Sequence, residues 1–552
     1  MSRSRHRMLR GILLVALLAG VLPTLIAPAC GGATSGGANP GADQTPKRGG
    51  TLTYPLTIDP GAFDPCVAQS DQGYAVLHQV YEGLVRWEAQ SDGTLKTMPC
   101  LAESWGANAD ATVWTFKLRP GVLFQAPVSR EFTAADVVAC LRYVVDPANG
   151  SDLGYLYVPI AGTDENGYAA RGALGVEALD RYTVRITLKH PFAEFADTLG
   201  NPAFSVFPLD RLRAVGLKAY TRRPVGTGPY LLERRVGGES IDLVRNPDWW
   251  DTSGGPYIDT IHYEVFNGVT TTMLAFQKGE IDWTSVPEGQ AAASRTLPQV
   301  ESGTWAVVTT PRLGLRYLCF NMDDAVVGGV QGLPLRRALA YACDRQAVSD
   351  ASSGGVFLPA TGLLPPGVPG SGDVPDAYRH DPAEAREILE GLSPVTLRLA
   401  WPIGQQQDGT IEALTEDLAG VGVTVKTRGL AMDEYIEYVL ADKAQLYLAG
   451  WIADYPSPDT FLYLLFESGE SPYSHGTGYA DPEVDALLAE ARAETDGALR
   501  RQRYAEAQRL ILADVPEIPL IVFADARLLN DRVAGLRFDS MGWADLWRAW
   551  VR

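Results

Sequence analysis

Apolar residues recur along this chain in two rhythms. Val113 to Leu118 and Tyr182 to Leu188 alternate at every second position, as half-buried strands do. Thr51 to Leu56 reads as a further short strand. After Thr133 the apolar Val137, Val138, Leu141 and Val144 fall on one helical face, and Asp136, three residues past Thr133, predicts a capped start. The two rhythms interleave most regularly between residues 396 and 450. Thr396 to Ala400 predicts a strand, Ile411 to Leu418 a helix stopped by Gly420 and Gly422, and Val423 to Lys426 a strand. Met432 to Leu440 follows as a helix and Gln445 to Gly450 as a strand. Strand–helix–strand–helix–strand is the sign of a parallel sheet with crossover helices. Asp381 before Pro382, and Asp481 before Pro482, each place a capping side chain ahead of a proline suited to the first helical turn, and the first of these helices ends near Gly391.

The pattern predicts an α/β protein of more than one lobe; 552 residues allow two to four domains and a large core. In open α/β sheets, ligands bind beyond the carboxyl ends of strands. The strand Gln445–Gly450 runs directly into Trp451-Ile452-Ala453-Asp454-Tyr455-Pro456, which sets an indole, a carboxylate and a phenol at that place.

The N-terminus follows neither rhythm. Arg3, Arg5, Arg7 and Arg10 precede an apolar run from Gly11 to Leu22, and the small residues Ala27 and Ala29 precede Cys30. This is the layout of an export signal over residues 1–29, too short and too soon broken by Pro23 for a permanent span. Residues 31 to 46 are rich in Gly, Ala, Ser and Thr without an apolar face, so 30–49 reads as a flexible tether. Ala27-Pro28-Ala29-Cys30 resembles a lipobox whose cysteine receives a lipid, with Ala27 where leucine is usual; a plain signal cut near Ala29 is the alternative.

Composition narrows the function. With 46% hydrophobic and 20% charged residues the chain is ordinary for a soluble protein, and a formal charge of −19 repels phosphate backbones. Nucleic acid is therefore set aside, and the acidity suits a cationic ligand. Export permits disulfides. Cys140, Cys319 and Cys343 lie in apolar runs and read as buried thiols, whereas Cys66 and Cys100 lie in loop-like sequence, where a bridge between them is one expectation. No Gly-x-Ser-x-Gly elbow, phosphate loop, Cys-x-x-Cys or His-Glu-x-x-His occurs. The six histidines are scattered, and Gly226-Thr227-Gly228 lacks the third glycine of a dinucleotide fingerprint. Asp323, Asp324 and Asp525 form no convincing acid pair for glycoside hydrolysis, since sequence neighbours point apart. No catalytic residue, cofactor or metal is expected.

Five segments, in order, resemble the oligopeptide- and dipeptide-binding proteins of ABC importers, solute-binding protein family 5. Leu101-Ala102-Glu103-Ser104-Trp105 leads to Trp114-Thr115-Phe116-Lys117-Leu118-Arg119, Phe124 and Phe132 to Val138. Pro224-Val225-Gly226-Thr227-Gly228-Pro229-Tyr230 and Arg245-Asn246-Pro247-Asp248-Trp249-Trp250 follow, then Trp451 to Phe461 and Tyr479 to Asp485. The resemblance implies a periplasmic-binding-protein-like two-lobe flytrap with an extra α/β domain on the first lobe. It assigns 50–82, 206–312 and 523–552 to lobe one, 83–205 to the extra domain and 313–522 to lobe two, with the hinge near Gly314 and Val522. It implies a lipid-anchored, extracytoplasmic, monomeric receptor, not an enzyme. The receptor captures peptides and hands them to a permease with separate ATPase subunits.

By the same resemblance Trp105, Trp249 and Trp250 are packing anchors, and Gly226 and Gly228 serve a tight backbone path. Asp454 would hold a peptide's α-ammonium, Trp451 would wall the pocket, and Tyr455, Tyr473 and His475 would line the cleft. Some peptide binders carry arginines in the helix and strand before the tryptophan; here Met432, Val439 and Leu448 stand at the corresponding places, and no arginine lies between Arg428 and Arg492. A carboxylate clamp of that kind is not expected. The runner-up cargo is non-peptide: a nickel chelate, haem, an opine-like compound or an oligosaccharide. A secreted hydrolase is the distant alternative.

Overall fold

The computed structural model describes residues 45–552 apart from 68, 171, 288, 393, 405–406 and 470–476. Cys30, Tyr473 and His475 lie outside the described residues, as does the segment read as an export signal.

Two α/β lobes share one pair of long antiparallel strands, Trp305–Phe320 and Glu517–Asn530. Their pairing runs from Trp305 opposite Asn530 to Cys319 opposite Glu517, and the register shifts between Pro311 and Leu315. On the Trp305 side of that break the pair is flanked by Trp283–Ser285, and on the other side by Leu446–Ile452. Lobe one adds a sheet in the order Thr51–Leu56, Thr260–Val265, Ser240–Arg245, Tyr230–Val236. Lobe two carries the parallel unit: Thr396–Pro402 pairs in parallel with Thr424–Leu430 on one side and Leu446–Ile452 on the other. The crossover helices are Asp408–Gly420 and Met432–Leu440. A third sheet, Ala102–Ala107, Val113–Leu118, Thr183–Thr187 and Val176–Asp180, belongs to the extra α/β unit.

Local sequence accounts for these elements. Asp381 accepts from the Ala383 and Glu384 amides at 3.1 Å each, and Asp481 from the Glu483 amide at 2.7 Å, so both helices start where a carboxylate meets unpaired N–H groups. Asp136 takes the Thr133 amide at 2.9 Å, closing the predicted cap of helix Ala134–Val144. The lobe-two strands are covered on both faces. Leu446 and Leu448 join Leu318 and Phe320 in one core, whereas Tyr447, Trp451 and Ala453 join Leu315 and Tyr317 in the other.

The glycine motif packs its own segment against the end of helix Asp71–Val80 within lobe one. A β-carbon on Gly226 would lie 2.0 Å from the Val80 carbonyl oxygen, and one on Gly228 would lie 2.6 Å from that of Gln79. At this close approach Glu82 is buried and collects Trp249 Nε1 at 3.1 Å, Trp250 Nε1 at 3.0 Å and Thr227 Oγ1 at 2.8 Å. The two tryptophans thus pack and also satisfy one buried carboxylate. Trp105 lies half-buried against the same core.

One expectation is corrected. Cys66 and Cys100 do not form a bridge; both are free, buried thiols. Cys100 turns toward Glu82 Oε1 at 3.7 Å, while Cys66 sits in the field of Asp64 and Cys140. Burial pushes both thiols well above their usual range. The apparent loop sequence around them is interior: each is 2% exposed.

Candidate functional site

The strand Leu446–Ile452 ends in the lobe-two interior, and one further bond, Ala453 N–H to Leu313 O at 2.8 Å, carries the chain to Asp454. Helix Asp459–Phe466 then begins, so Asp454 stands in the turn at the carboxyl end of a sheet strand. Its Oδ1 accepts the Tyr155 hydroxyl at 2.9 Å, and its backbone carbonyl accepts Asn201 Nδ2 at 2.9 Å. Both partners come from the extra domain. Oδ2 is shielded from solvent and has no partner among the described residues. Burial pushes the carboxyl up to about 7, against the pull of the Tyr155 bond.

Across the junction lies lobe-one helix Asp71–Val80. Its Tyr74 has a phenol pushed up to about 12, first by burial and then by the negative charges of Asp152, Asp454 and Asp71. Three acids from three parts of the chain thus act on one side chain. Asp71 is itself paired with Arg312 at 3.2 Å, so its charge is answered; an ammonium is the kind of donor that Asp454 Oδ2 lacks among the described residues.

The other sequence-predicted residues divide. Trp451 is 6% exposed, lies in the lobe-two core and directs Nε1 to Thr460 Oγ1 at 3.3 Å, so its indole packs the lobe. Tyr455 is equally interior: its hydroxyl donates to Asp459 at 2.6 Å, and its ring faces Phe192 of the extra domain. The structure brings Asp454 and Tyr455 to the contact between lobe two and the extra domain and turns Trp451 inward.

Beside this contact, a cavity of about 1380 Å³ runs between lobe one and the hairpin of Val85–Ala89 and Leu95–Pro99. His78, Trp87, Asn201, Pro202, Thr310 and Trp543 are among its walls. Asp454 is not, although Asn201 belongs to both places. Trp87 stacks on Trp543 at 5.5 Å, and His78 meets Trp543 edge-on at 4.2 Å, held neutral as burial lowers it to about 4. Some of the wall ions are paired: Glu88 takes Arg86 at 2.8 Å and Arg548 at 2.7 Å. The cavity therefore offers volume and aromatic surface, and Asp454 offers unmatched charge. Of the two features, a buried carboxylate oxygen lacking a partner is the costlier to leave unfilled.

Further residues of this junction escaped sequence reasoning. Glu194 of the extra domain faces Tyr504 at 3.1 Å and Arg500 at 3.5 Å in lobe two, and burial raises its carboxyl to about 7. Tyr504 also stands 3.3 Å from Asp459, which pairs with Arg492 at 3.3 Å. Tyr155, Asn201 and Glu194 fall in no recognisable motif, and Tyr155 is 299 residues from Asp454. Among the described residues, no group of three or more His, Cys, Asp or Glu side chains is arranged to hold a metal, and no helix is long and apolar enough to cross a membrane.

A carboxylate with one oxygen unpartnered among the described residues thus stands where lobe two meets the extra domain, and residues 96–473 match the family model of bacterial extracellular solute-binding proteins, family 5. The chain belongs to that family. Among curated members of similar length, di/tripeptide-binding protein 2 of Pseudomonas aeruginosa is 28% identical over 531 residues, covering 90% of this chain and 94% of that one. Heme-binding protein A of Haemophilus influenzae is 27% identical over 547 residues, covering 93% and 94%. The solved periplasmic binding protein DppA of Helicobacter pylori, in complex with peptide STSA, superposes with a TM-score of 0.71 at 24% identity, covering 92% of this chain and 98% of that one. At that identity the likeness concerns the fold, and the two-lobe architecture is the family 5 one.

Proposed function

We propose that this family 5 protein is an extracytoplasmic receptor that captures short peptides and delivers them to an ABC importer, with Asp454 gripping the ligand's α-ammonium. The observation that carries this reading is the Asp454 carboxyl, buried at the lobe junction with Oδ2 unpartnered among the described residues. An ammonium there gains a charge-assisted bond that strengthens as closure excludes water. The di/tripeptide-binding relative and the peptide-bound DppA support the peptide class. The second reading is a non-peptide solute such as haem, favoured by the aromatic cavity wall at Trp87 and Trp543 and by the heme-binding relative.

In this reading the work is capture without chemistry, and the protein is not an enzyme. Residues 50–82, 206–312 and 523–552 move as lobe one, with 83–205 attached, against 313–522. Bending occurs where the long strands lose register between Pro311 and Leu315 and opposite Val522. Ligand shifts the population toward the closed form by its differential affinity for that form. The closed monomer docks on a permease whose separate ATPase subunits supply energy. Cys30, lipidated after removal of residues 1–29, holds the receptor at the membrane through the 30–49 tether.

Mass spectrometry of ligand released by denaturing the purified protein tests the cargo. Short peptides are the expected species; a haem absorbance, or only non-peptide solutes, sinks the peptide reading. Cys30→Ser is expected to move the protein from the membrane pellet to the soluble fraction, and a variant that still pellets with membranes removes the anchor.

A further inference from the structure

Three consecutive residues of the extra domain, Phe192, Ala193 and Glu194, each bond to lobe two. The Phe192 ring lies 4.2 Å from the Arg492 guanidinium carbon, and the Tyr463 ring lies 3.9 Å from the same carbon. The Ala193 amide donates to the Arg492 carbonyl at 2.7 Å. Glu194 accepts the Tyr504 hydroxyl at 3.1 Å on Oε2, and its Oε1 stands 3.5 Å from Arg500 Nε. Phe192 is 2% exposed and Glu194 8%, so the contact is closed to water. A cation over a ring, a backbone bond and an acid between a phenol and a guanidinium thus join the two units within three residues. Each of these bonds is direct, with no ligand between the partners.

Glu194 meets a mixed set of charges. From helix Gly497–Asp514 it faces Arg500 and Tyr504, and from helix Asp459–Phe466 it faces Asp459. Ser457 of the preceding turn bonds it, and Asp197 faces it from its own domain's helix Phe195–Thr198. Arg492, at the end of helix Pro482–Ala493, acts through Asp459, which it pairs with at 3.3 Å. Burial outweighs the pull of Arg500 and raises the carboxyl to about 7. Separation of the lobes returns Glu194 to water and to an ordinary 4.5, so the closed form holds the proton more tightly. Asp454 behaves alike: it stands at about 7 against 3.8, and its partners Tyr155 and Asn201 leave with the extra domain.

We propose that Phe192, Ala193 and Glu194 are a latch by which the extra domain holds lobe two in the closed form, and that ionisation of Glu194 loosens it. The latch rests on the closing motion in the reading above and not on peptide as the cargo. Its lobe-two half shares one turn with the ligand anchor, since Asp454 and Asp459 bracket that turn and Tyr455 ties into it at 2.6 Å. Closure is favoured as pH falls through about 7. Each of the two carboxyls raises the ratio of closed to open forms about tenfold between pH 8 and pH 6, and together they raise it about a hundredfold. A protonated Asp454 also attracts no ammonium. Acid therefore shuts the receptor empty, and neutral to alkaline pH frees it for capture.

The test uses the full chain, stripped of cargo by denaturation and refolding. Hydrogen exchange of the Ala193 amide, resolved by fragmentation in a mass spectrometer, reads the latch, and small-angle X-ray scattering reads the lobes. In wild type the protection of Ala193, corrected for intrinsic exchange rates, is expected to be about a hundredfold greater at pH 6 than at pH 8, with a smaller radius of gyration. Glu194→Gln should reduce that pH effect to about tenfold, the share of Asp454. Tyr504→Phe should lower the protection about fivefold at pH 6 and enlarge the radius. Amides of the extra-domain strand Val113–Leu118 should not change, which separates unlatching from unfolding. If Tyr504→Phe does loosen that strand, Arg500→Gln takes its place, with the same fall expected. An unprotected Ala193 in wild type at pH 6, or a Glu194→Gln variant with the full hundredfold effect, overturns the latch. So does a fall in protection with no change in radius, which is local fraying. A radius that is the same at both pH values and in every variant overturns the closing motion itself, and the latch with it.

Discussion

Replacing Asp454 with asparagine separates the two demands on this side chain. The carboxyl stands at about 7 against an ordinary 3.8, and burial is the main cause. Because the folded pKa lies above the unfolded one, the folded state holds the proton more tightly. The penalty for ionising it is absent below about pH 4, grows as pH rises, and is complete above about 7. A shift of about three units sets a ceiling of roughly 4 kcal/mol. Asparagine keeps an acceptor for Tyr155 and removes the charge. Ligand-free Asp454→Asn should therefore melt a few degrees above wild type at pH 8 and level with it at pH 4. Binding moves the other way: loss of the charge partner should weaken an amine-bearing ligand by about 2–5 kcal/mol, 30-fold or more. Thermal melts at both pH values and calorimetry with released cargo read the two effects. A variant that melts lower at pH 8 and binds cargo as tightly as wild type refutes the account, because the carboxylate is then neither strained nor used.

Two structural predictions follow. Glu82→Ala strands the donors of Trp249, Trp250 and Thr227 in the interior and should cost about 3–5 kcal/mol, read as a fall in the urea midpoint. Cys66, Cys100, Cys140, Cys319 and Cys343 are buried and held protonated, so none should take an alkylating reagent in the native protein. All five should label after denaturation without reductant, and a mass that leaves Cys66 and Cys100 unlabelled restores the bridge.

Much of lobe two was legible because its signals are local. Capping carboxylates at Asp381 and Asp481, glycines at 420 and 422, and two alternating periods mark out the parallel unit from 396 to 452 to within a few residues. Asp454 could be singled out because a strand's carboxyl end is defined by its own sequence. The inward turn of Trp451 could not: a tryptophan at a strand end suits a pocket wall and a core equally, and the choice depends on what the other face packs against. Cys66 and Cys100 misled for a related reason, since irregular sequence resembles surface loop even where a neighbouring domain covers it.

What the sequence determined by itself was the alternation of elements, their caps, the order of the glycine and tryptophan motifs, and the acid placed at a strand's end. Each is set by residues within a turn or two of one another. Tertiary structure alone decided which charges are answered. Tyr155 reaches Asp454 from 299 positions away, and Asp71 and Asp525 satisfy Arg312. Electrostatic energy depends on distance through space and on exclusion of water, and neither is a property of position along a chain.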